Sequence, residues 1–371
     1  MARIVVKIGS NIIAGSESGL DAASVERLAG DIAAASDLGH EIIVVSSGAV
    51  AAGMGKLGLA AKPKDIKVKQ AVAAVGQSSL MWCYEKAFGV FGKKVGQVLL
   101  TREDFSDRRR YINSKNTLLT LLSFGVIPVI NENDTVATDE IRFGDNDNLA
   151  ALVAILIAAD NLMILSDVEG LYDRNPSADS AARIISSVHE ITAEVERVAG
   201  GSGSSVGTGG MYSKVLAAKK ATSHGIPVRI INGRNAGLLL RAVRNEPVGT
   251  LFSAARERLS HRKGWIAFSS RSRGSVILDD GAVRAIVEGG KSLLPSGIAA
   301  VEGDFDTGDA VYCVGGDGRR IAKGLINYPA SDLRKILRKK SSEIERVLGY
   351  MYSEEAIHRD NLVVLERERG R

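Results

Sequence analysis

From the first residue to about position 250, short apolar runs alternate with segments of helical period. Arg3–Ile8 is β-branched and gives way to Gly9-Ser10-Asn11, and Glu41–Ser46, Val95–Leu100, Val126–Ile130, Leu162–Leu165 and Val228–Ile231 repeat that strand-like pattern. Between them, Ala22–Leu38, Ile66–Phe91, Arg109–Phe124, Asn148–Ala159 and Met211–His224 carry apolar residues at helical spacing, two of them closing on Gly39 and Gly125. Continuous apolar strands separated by helices predict an α/β domain with a parallel sheet covered on both faces. After about residue 253 the pattern changes. Ser253–Gly264 is polar and basic and reads as a linker. Brief strands at Gly274–Leu278 and Asp309–Cys313 follow, with turns expected at Asp279-Asp280-Gly281 and Gly315-Gly316-Asp317-Gly318. They predict a β-rich module, and a basic amphipathic helix is expected over Asp332–Leu348. The expected division is a first domain over 1–253, a linker over 254–264 and a second domain over 265–371.

Composition narrows the class. A chain of 371 residues exceeds the size at which one core usually stops growing, which agrees with two domains. With 45% hydrophobic and 25% charged residues it is neither disordered nor fibrous, and only 5% aromatics means aliphatic cores. Forty glycines against 7 prolines point to loops where the backbone approaches something closely. Cys83 and Cys313 are too few for a disulfide framework or a zinc cluster, and no leader pattern opens the chain, so a reducing cytoplasm is expected. The longest apolar stretch, Leu149–Ala159, is shorter than the roughly 20 residues that span a bilayer. A net charge of +5 suits acidic ligands such as nucleotides or RNA without requiring them.

Four loops follow expected strands, where open α/β sheets bind ligands. Lys7 ends the first strand before Gly9 and Ser10, so an ammonium and two amides could meet one phosphate; a solvated strand-end charge is the plain alternative. Ser46-Ser47-Gly48-Ala49 leads into a helix, either as an anion site made of amides or as a serine cap. Asn131-Glu132-Asn133-Asp134 and Gly144-Asp145-Asn146-Asp147-Asn148 gather more short polar side chains than turns need, which suggests calcium or an amine. The calcium-loop order is absent, because the glycine precedes the acids. Gly200–Gly203 and Thr208-Gly209-Gly210-Met211 precede Ser213-Lys214 at a helix start, a phosphate cradle with a cation or a flexible linker. Ser166-Asp167, with Gly170-Leu171-Tyr172-Asp173, could frame a nucleotide base. Ala285–Ser292 (AIVEGGKS) imitates a P-loop, but Leu293-Leu294-Pro295 follows where a helix should begin, so it is rejected. The five histidines have no ligand spacing.

Taken together, VVKIGS at the start, SSGAVAAG at Ser46–Gly53, VIPVINENDTVAT at Val126–Thr138, FGDNDNLAALVA at Phe143–Ala154, LSDVEGLYDRNP at Leu165–Pro176 and GTGGMYSK at Gly207–Lys214 resemble the amino acid kinase superfamily. The match is narrowest to its branch acting on L-glutamate. GGKSLLPSGI at Gly289–Ile298 and GDAVYC at Gly308–Cys313 resemble a PUA domain. The resemblance implies a three-layer αβα sandwich with a mainly parallel sheet, followed by a β-rich PUA domain. It implies transfer of the ATP γ-phosphoryl group to the side-chain carboxylate of L-glutamate, with Mg²⁺ carried by the nucleotide phosphates. Lys7 and Lys214 then contact phosphates, and Asp147 holds them in position. Ser47, Asp134 and Asn146 match glutamate-binding positions, with Asn131 and Asp145 close by. Ser166, Asp167 and Thr208-Gly209-Gly210-Met211-Tyr212-Ser213-Lys214 match ATP-binding segments, where Tyr212 replaces a small residue and is expected to reshape the nucleotide pocket. The resemblance also implies feedback inhibition by proline and a homo-oligomer, a tetramer or a dimer.

Two rivals stay open on sequence. One is another amino acid kinase, acting on N-acetylglutamate, aspartate, UMP or carbamate. The other is an RNA-binding protein working through the PUA-like module and the basic Arg334–Lys340 stretch.

Overall fold

The computed structural model describes residues 1–15, 19–136, 146–176, 179–200, 210–254, 266 and 272–365. The chain divides into two compact units, one of Met1–Asp104 with Arg109–Arg258, the other of Leu259–Arg371 with Phe105–Arg108.

In the first unit, strands β1 (Arg3–Ile8), β2 (Glu41–Ser46), β3 (Lys94–Leu100), β4 (Val126–Glu132), β5 (Asn161–Ser166), β6 (Ser187–Val188), β7 (Val228–Asn232) and β8 (Thr250–Phe252) form a sheet of order β3-β4-β2-β1-β5-β7-β8-β6. Neighbours from β3 to β7 are parallel, while β8 runs antiparallel to β7 and pairs in parallel with β6. Strands β1, β2 and β5 are buried along nearly their whole length, as a sheet covered on both faces requires. The helices are α1 (Ser10–Ile13), α2 (Ala22–Asp37), α3 (Ala49–Leu57), α4 (Ile66–Val90), α5 (Arg102–Ser106), α6 (Arg108–Ser123), α7 (Asn146–Leu156), α8 (Ala193–Gly200), α9 (Met211–Thr222) and α10 (Leu238–Val243). Alternate residues Ile4, Val6 and Ile8 of β1 pack with Ile42, Val44, Met163 and Leu165 beneath α2 and α4. Helices α7 and α9 pack on each other, and α7 also packs on β1 and β5. Asp21 and Asp65 start α2 and α4 by accepting hydrogen bonds from the amides of Ala23 and Ser24, and of Lys67 and Val68. Such caps are each worth about 1 kcal/mol.

Register decides where the loops emerge. Ile8 is level with Ser46 on one side and Leu165 on the other, and Val45 is level with Ile130. Gly9, Ser47, Asn131 and Ser166 therefore leave the sheet along one rim. Because β1 lies between β2 and β5, the chain departs from it in both directions, which opens a crevice at the carboxyl ends.

The second unit has strands β9 (Ser272–Leu278), β10 (Ile298–Gly303), β11 (Ala310–Val314), β12 (Arg320–Leu325) and β13 (Leu362–Val364) in the order β10-β9-β11-β12-β13. They surround an aliphatic core with Val276, Val311, Cys313, Ile326 and Tyr328. Gly315–Gly318 makes the expected hairpin turn, with the Gly315 amide donating to the Arg319 carbonyl at 2.8 Å. Two expectations need correction. Asp279-Asp280-Gly281 is no turn: the Asp279 carboxylate accepts from the Ala282 amide at 2.7 Å and starts α11 (Asp280–Val287). An aspartate ahead of Val283, Ile286 and Val287 is a helix start, and the glycine hid it. The helix over Asp332–Leu348 is also broken, into α12 (Ala330–Leu333), a one-turn 3₁₀ segment at Ser341–Glu343 and α13 (Ile344–Leu348). Arg338 adopts a left-handed φ of 58° and its amide donates to the Pro295 carbonyl, so tertiary pairing outbids the helical period. The P-loop imitation is rejected by structure too, since Ala285–Val287 closes α11 instead of ending a strand. The linker expected at 254–264 lies outside the described residues apart from Ala254. Among the described residues no helix is long and apolar enough to cross a membrane.

Candidate active site

Three charged side chains from separate elements meet beneath the rim. Lys7 comes from the end of β1, Asp147 from the first turn of α7 and Lys214 from the first turn of α9. They are 3%, 0% and 5% exposed. The Lys7 ammonium pairs with Oδ1 of Asp147, and the Lys214 ammonium lies 3.2 Å from Oδ2. The Ser213 hydroxyl donates to the same Oδ2 at 2.9 Å. Removing three charges from water costs several kcal/mol per ion unless each is paired. Asp147 supplies the pairing, and the amides of the α7 first turn favour its negative charge. The cluster still holds two positive charges against one negative. Both ammonium groups line a cavity of about 320 Å³ at the rim, which is thereby an anion receptor.

The cavity wall joins four strand ends: Gly9, Ser10 and Asn11 after β1, Ser47 and Gly48 after β2, Asn131, Glu132 and Asp134 at β4, and Ser166 and Asp167 at β5. Asn146 ties three of these together. Its side-chain amide faces the Ser46 carbonyl at 2.9 Å, the Ser47 hydroxyl at 3.0 Å and Oδ1 of Asn131 at 2.9 Å. Asn131 donates in turn to Gln77 of α4 at 2.8 Å, which fixes its rotamer. Behind Ser47, the Ser46 hydroxyl and the buried Tyr84 hydroxyl lie 2.7 Å apart. Gly48 begins α3 at φ +112°, a conformation that favours glycine, and no side chain caps it. The serine-cap alternative is thus set aside, and Ala49, Val50 and Ala51 face the cavity instead.

Electrostatics differ between the two ends. Burial opposes the charge of Asp167, but hydrogen bonds from Asn11, its own amide and Ser166, with the positive field of Lys214, bring its carboxyl below the usual value. At the far end burial dominates. It pushes the Glu132 carboxyl up to about 7, reinforced by Asp134 and opposed by Lys69, and it raises Asp134 against the pull of the same lysine.

Most residues singled out in the sequence therefore converge: Lys7, Ser47, Asn131, Asp134, Asn146, Ser166, Asp167 and Lys214 line the cavity, and Asp147 and Ser213 support it from behind. The helix expected to begin at Asn148 begins at Asn146, so Asn146 and Asp147 belong to its first turn and not to the loop before it. Gly210, Met211 and Tyr212 start α9 but are not in the cavity wall; Tyr212 is exposed. Gly170–Asp173 is also absent from the wall, with the Leu171 amide donating to the Thr250 hydroxyl at 2.8 Å. Asp145, Thr208 and Gly209 lie outside the described residues. Sequence reasoning passed over Asn11, Lys62 and Lys69 and gave Glu132 no role. Nothing local marks a lysine in the first turns of α4, whereas Glu132 stood inside a motif already noted.

Among the described residues no three His, Cys, Asp or Glu side chains converge on a metal, and the one fully buried carboxylate, Asp147, is engaged by two lysines and a serine. The two ammonium groups on the cavity wall fit the phosphates on which a magnesium ion would be carried.

The sequence matches the amino acid kinase family over residues 2–232 and the PUA domain over residues 274–348. The glutamate 5-kinase of Syntrophotalea carbinolica is 53% identical over 362 residues, covering 98% of this chain and 97% of its own. That of Geobacter metallireducens is 55% identical over 363 residues, with the same coverage. With its rim of strand-end loops, its buried pair of lysines and its PUA domain, the chain belongs to the amino acid kinase family, in the glutamate 5-kinase group.

Proposed function

We propose that the chain transfers the γ-phosphoryl group of ATP to the side-chain carboxylate of L-glutamate, giving L-glutamyl 5-phosphate and ADP, the first step of proline biosynthesis. The observation that carries this reading is the surplus positive charge of Lys7 and Lys214, clamped on Asp147 at one end of a cavity whose other end sets Glu132 and Asp134 beside Lys62 and Lys69. The near-full-length identity to glutamate 5-kinases supports it.

The attacking group needs no base. A glutamate side-chain carboxylate has an ordinary pKa of about 4.3 and is ionised at neutral pH. A carboxylate oxygen forms the new bond to the γ-phosphorus while the bond to the β-phosphate oxygen breaks and ADP leaves. The difficulty is repulsion between two anions. Lys7 and Lys214 offset it, with their ammonium groups held still by Asp147 so that little reorganisation is left for the transition state. The Gly9 amide is spent on the Leu165 carbonyl, but Ser10 and the start of α3 add amides to the same wall, and magnesium, when bound on the phosphates, would neutralise further charge. Ser47, Asn131 and Asn146 hold the acceptor in line, and Asp134 faces its α-ammonium. A free ammonium suits Glu132 and Asp134, whereas an acylated one leaves the carboxylates unpaired. Ser166, Asp167 and the Thr208–Lys214 segment serve the nucleotide. Proline is the expected feedback inhibitor at or overlapping the glutamate position, the assembly a homo-oligomer, a tetramer or dimer, and the location cytoplasmic, all on the strength of the family resemblance.

The test is ADP release with Mg-ATP and glutamate, with hydroxylamine trapping the acyl phosphate. Hydroxamate from glutamate, suppressed by added proline, is expected. Hydroxamate only from aspartate or N-acetylglutamate, or ADP release only with UMP, overturns the substrate assignment.

A further inference from the structure

The far end of the cavity is built differently from the phosphate end. Around Lys7 every charge is engaged. At the other end Glu132, Asp134, Lys62 and Lys69 all line the wall, yet among the described residues none of their charged groups makes an ion pair within 4.0 Å or a side-chain hydrogen bond. Glu132, Asp134 and Lys69 are half-buried and Lys62 is exposed, and among the described residues only the longer-range attraction of Lys69 reaches the two carboxylates. That is the complement of a zwitterion: one cation for the carboxylates and one anion for the lysines.

Resting on the substrate reading above, we propose that Glu132 and Lys69 are specificity-determining residues which read the α-ammonium and α-carboxylate of the amino acid, and that its binding expels a proton from the Glu132–Asp134 pair. Glu132 ends β4 and Asp134 follows two residues later, so the two half-buried carboxyls lie near enough to act on each other. Among the described residues, the charges acting on Glu132 are Asp134 from its own segment and Lys69 from α4; its β3 partner, Leu100, has none. One lysine cannot neutralise two half-buried carboxylates, and in the empty site a carboxyl holds its proton to near neutrality. An arriving ammonium between the two removes the reason to hold it. The α-carboxylate is then left to Lys69 and Lys62. Below about pH 7 binding must displace that proton, and apparent affinity for glutamate falls with falling pH; above it Glu132 is already ionised and affinity levels off.

The experiment is calorimetric titration of the full-length chain with glutamate, in two buffers of different ionisation enthalpy at pH 6.5, with a non-hydrolysable ATP analogue present. Wild type is expected to release a measurable fraction of a proton per glutamate. Glu132→Gln should abolish the release and flatten the pH dependence of Kd between pH 6 and 8. Lys69→Met should weaken glutamate by about tenfold or more, with the KM rising more than kcat falls. Analogue binding within about twofold of wild type, ample against a tenfold change worth about 1.4 kcal/mol, shows that both variants are folded. If wild type exchanges no proton, or both variants bind glutamate like wild type, this proposal fails while the enzymatic reading stands. Absence of glutamate hydroxamate from wild type overturns both.

Discussion

Asp147 is one negative charge shared by two buried ammonium groups, and its removal separates a structural from a catalytic effect. Asp147→Asn leaves two like charges facing each other in a dry pocket, and the loss expected is about 3–5 kcal/mol of stability. A polyanionic nucleotide supplies the missing counter-charge, so the gap in Tm between variant and wild type should narrow when ATP analogue is added; an equal gap with and without it would show that the lysines do not face the phosphates. On the proposed reading, Lys214→Ala removes a cation needed most in the transition state. It should lower kcat by about a hundredfold or more, with the KM for glutamate little changed, and steady-state kinetics at saturating Mg-ATP reads the split. An unchanged kcat means the lysine is misassigned. Glu132 makes a prediction of opposite sign to the usual carboxylate. Its carboxyl is raised to about 7 in the folded chain, against about 4.3 unfolded, so the folded state binds the extra proton between those values. Its contribution to stability is therefore lost as pH rises through 7. Without ligands, Glu132→Gln should melt higher than wild type at pH 8 and at most equally at pH 5, by calorimetry. Such a charge, kept at a cost to stability, is typical of a binding site.

Elements position these residues through contacts with no spare room. Helices α3 and α4 cross so closely that a Cβ on Gly76 would lie 1.8 Å from the Ala49 carbonyl oxygen and 2.3 Å from the Gly53 nitrogen. Neither backbone atom can swing aside. Gly76→Ala should therefore cost about 3 kcal/mol or more, and by pushing α3 away it should shift the Ser47–Ala51 wall, raising the KM for glutamate beyond what the loss of folded protein explains. A variant with unchanged Tm and KM would mean that the two helices can part freely. Much of this layer was legible beforehand. The strand runs and long helices appear within a few residues of where periodicity puts them, because each buries one stripe or both faces and the period records it. The failures have physical causes. The Asp332–Leu348 stretch has helical period and basic residues, but the Arg338 amide finds the Pro295 carbonyl, and a local signal cannot foresee a distant acceptor. The break removes the continuous helix but not the charge, since Arg334, Lys335, Arg338, Lys339 and Lys340 all stay exposed. Asp279 was misread because a glycine two positions later looks like a turn, although aspartate capping an apolar period outweighs it.

At the scale of the whole molecule, every residue lining the site cavity belongs to the first unit. Hydrogen exchange with ATP analogue and glutamate should thus slow at Lys7–Ile12, Ser47–Ala51 and the start of α9, and stay unchanged across β9–β13; slowing confined to the second unit would move the site elsewhere. At a hundredfold excess over Kd the analogue should add about 2.7 kcal/mol to the stability of the part that binds it. Sequence alone determined the class of fold, since a covered parallel sheet leaves an unmistakable alternation of apolar runs and amphipathic helices. It also marked Lys7, the Asn-Asp loops and Lys214 as chemistry, since clusters of short polar groups and glycines at strand ends serve no core. Only the tertiary structure decided that Lys7 and Lys214, far apart in the chain, share the one carboxylate of Asp147, and that Lys69 comes within electrostatic reach of Glu132. A charge acts through a field of a few ångströms, and which charges come within that distance is fixed by strand order and register, which no single segment of the chain contains.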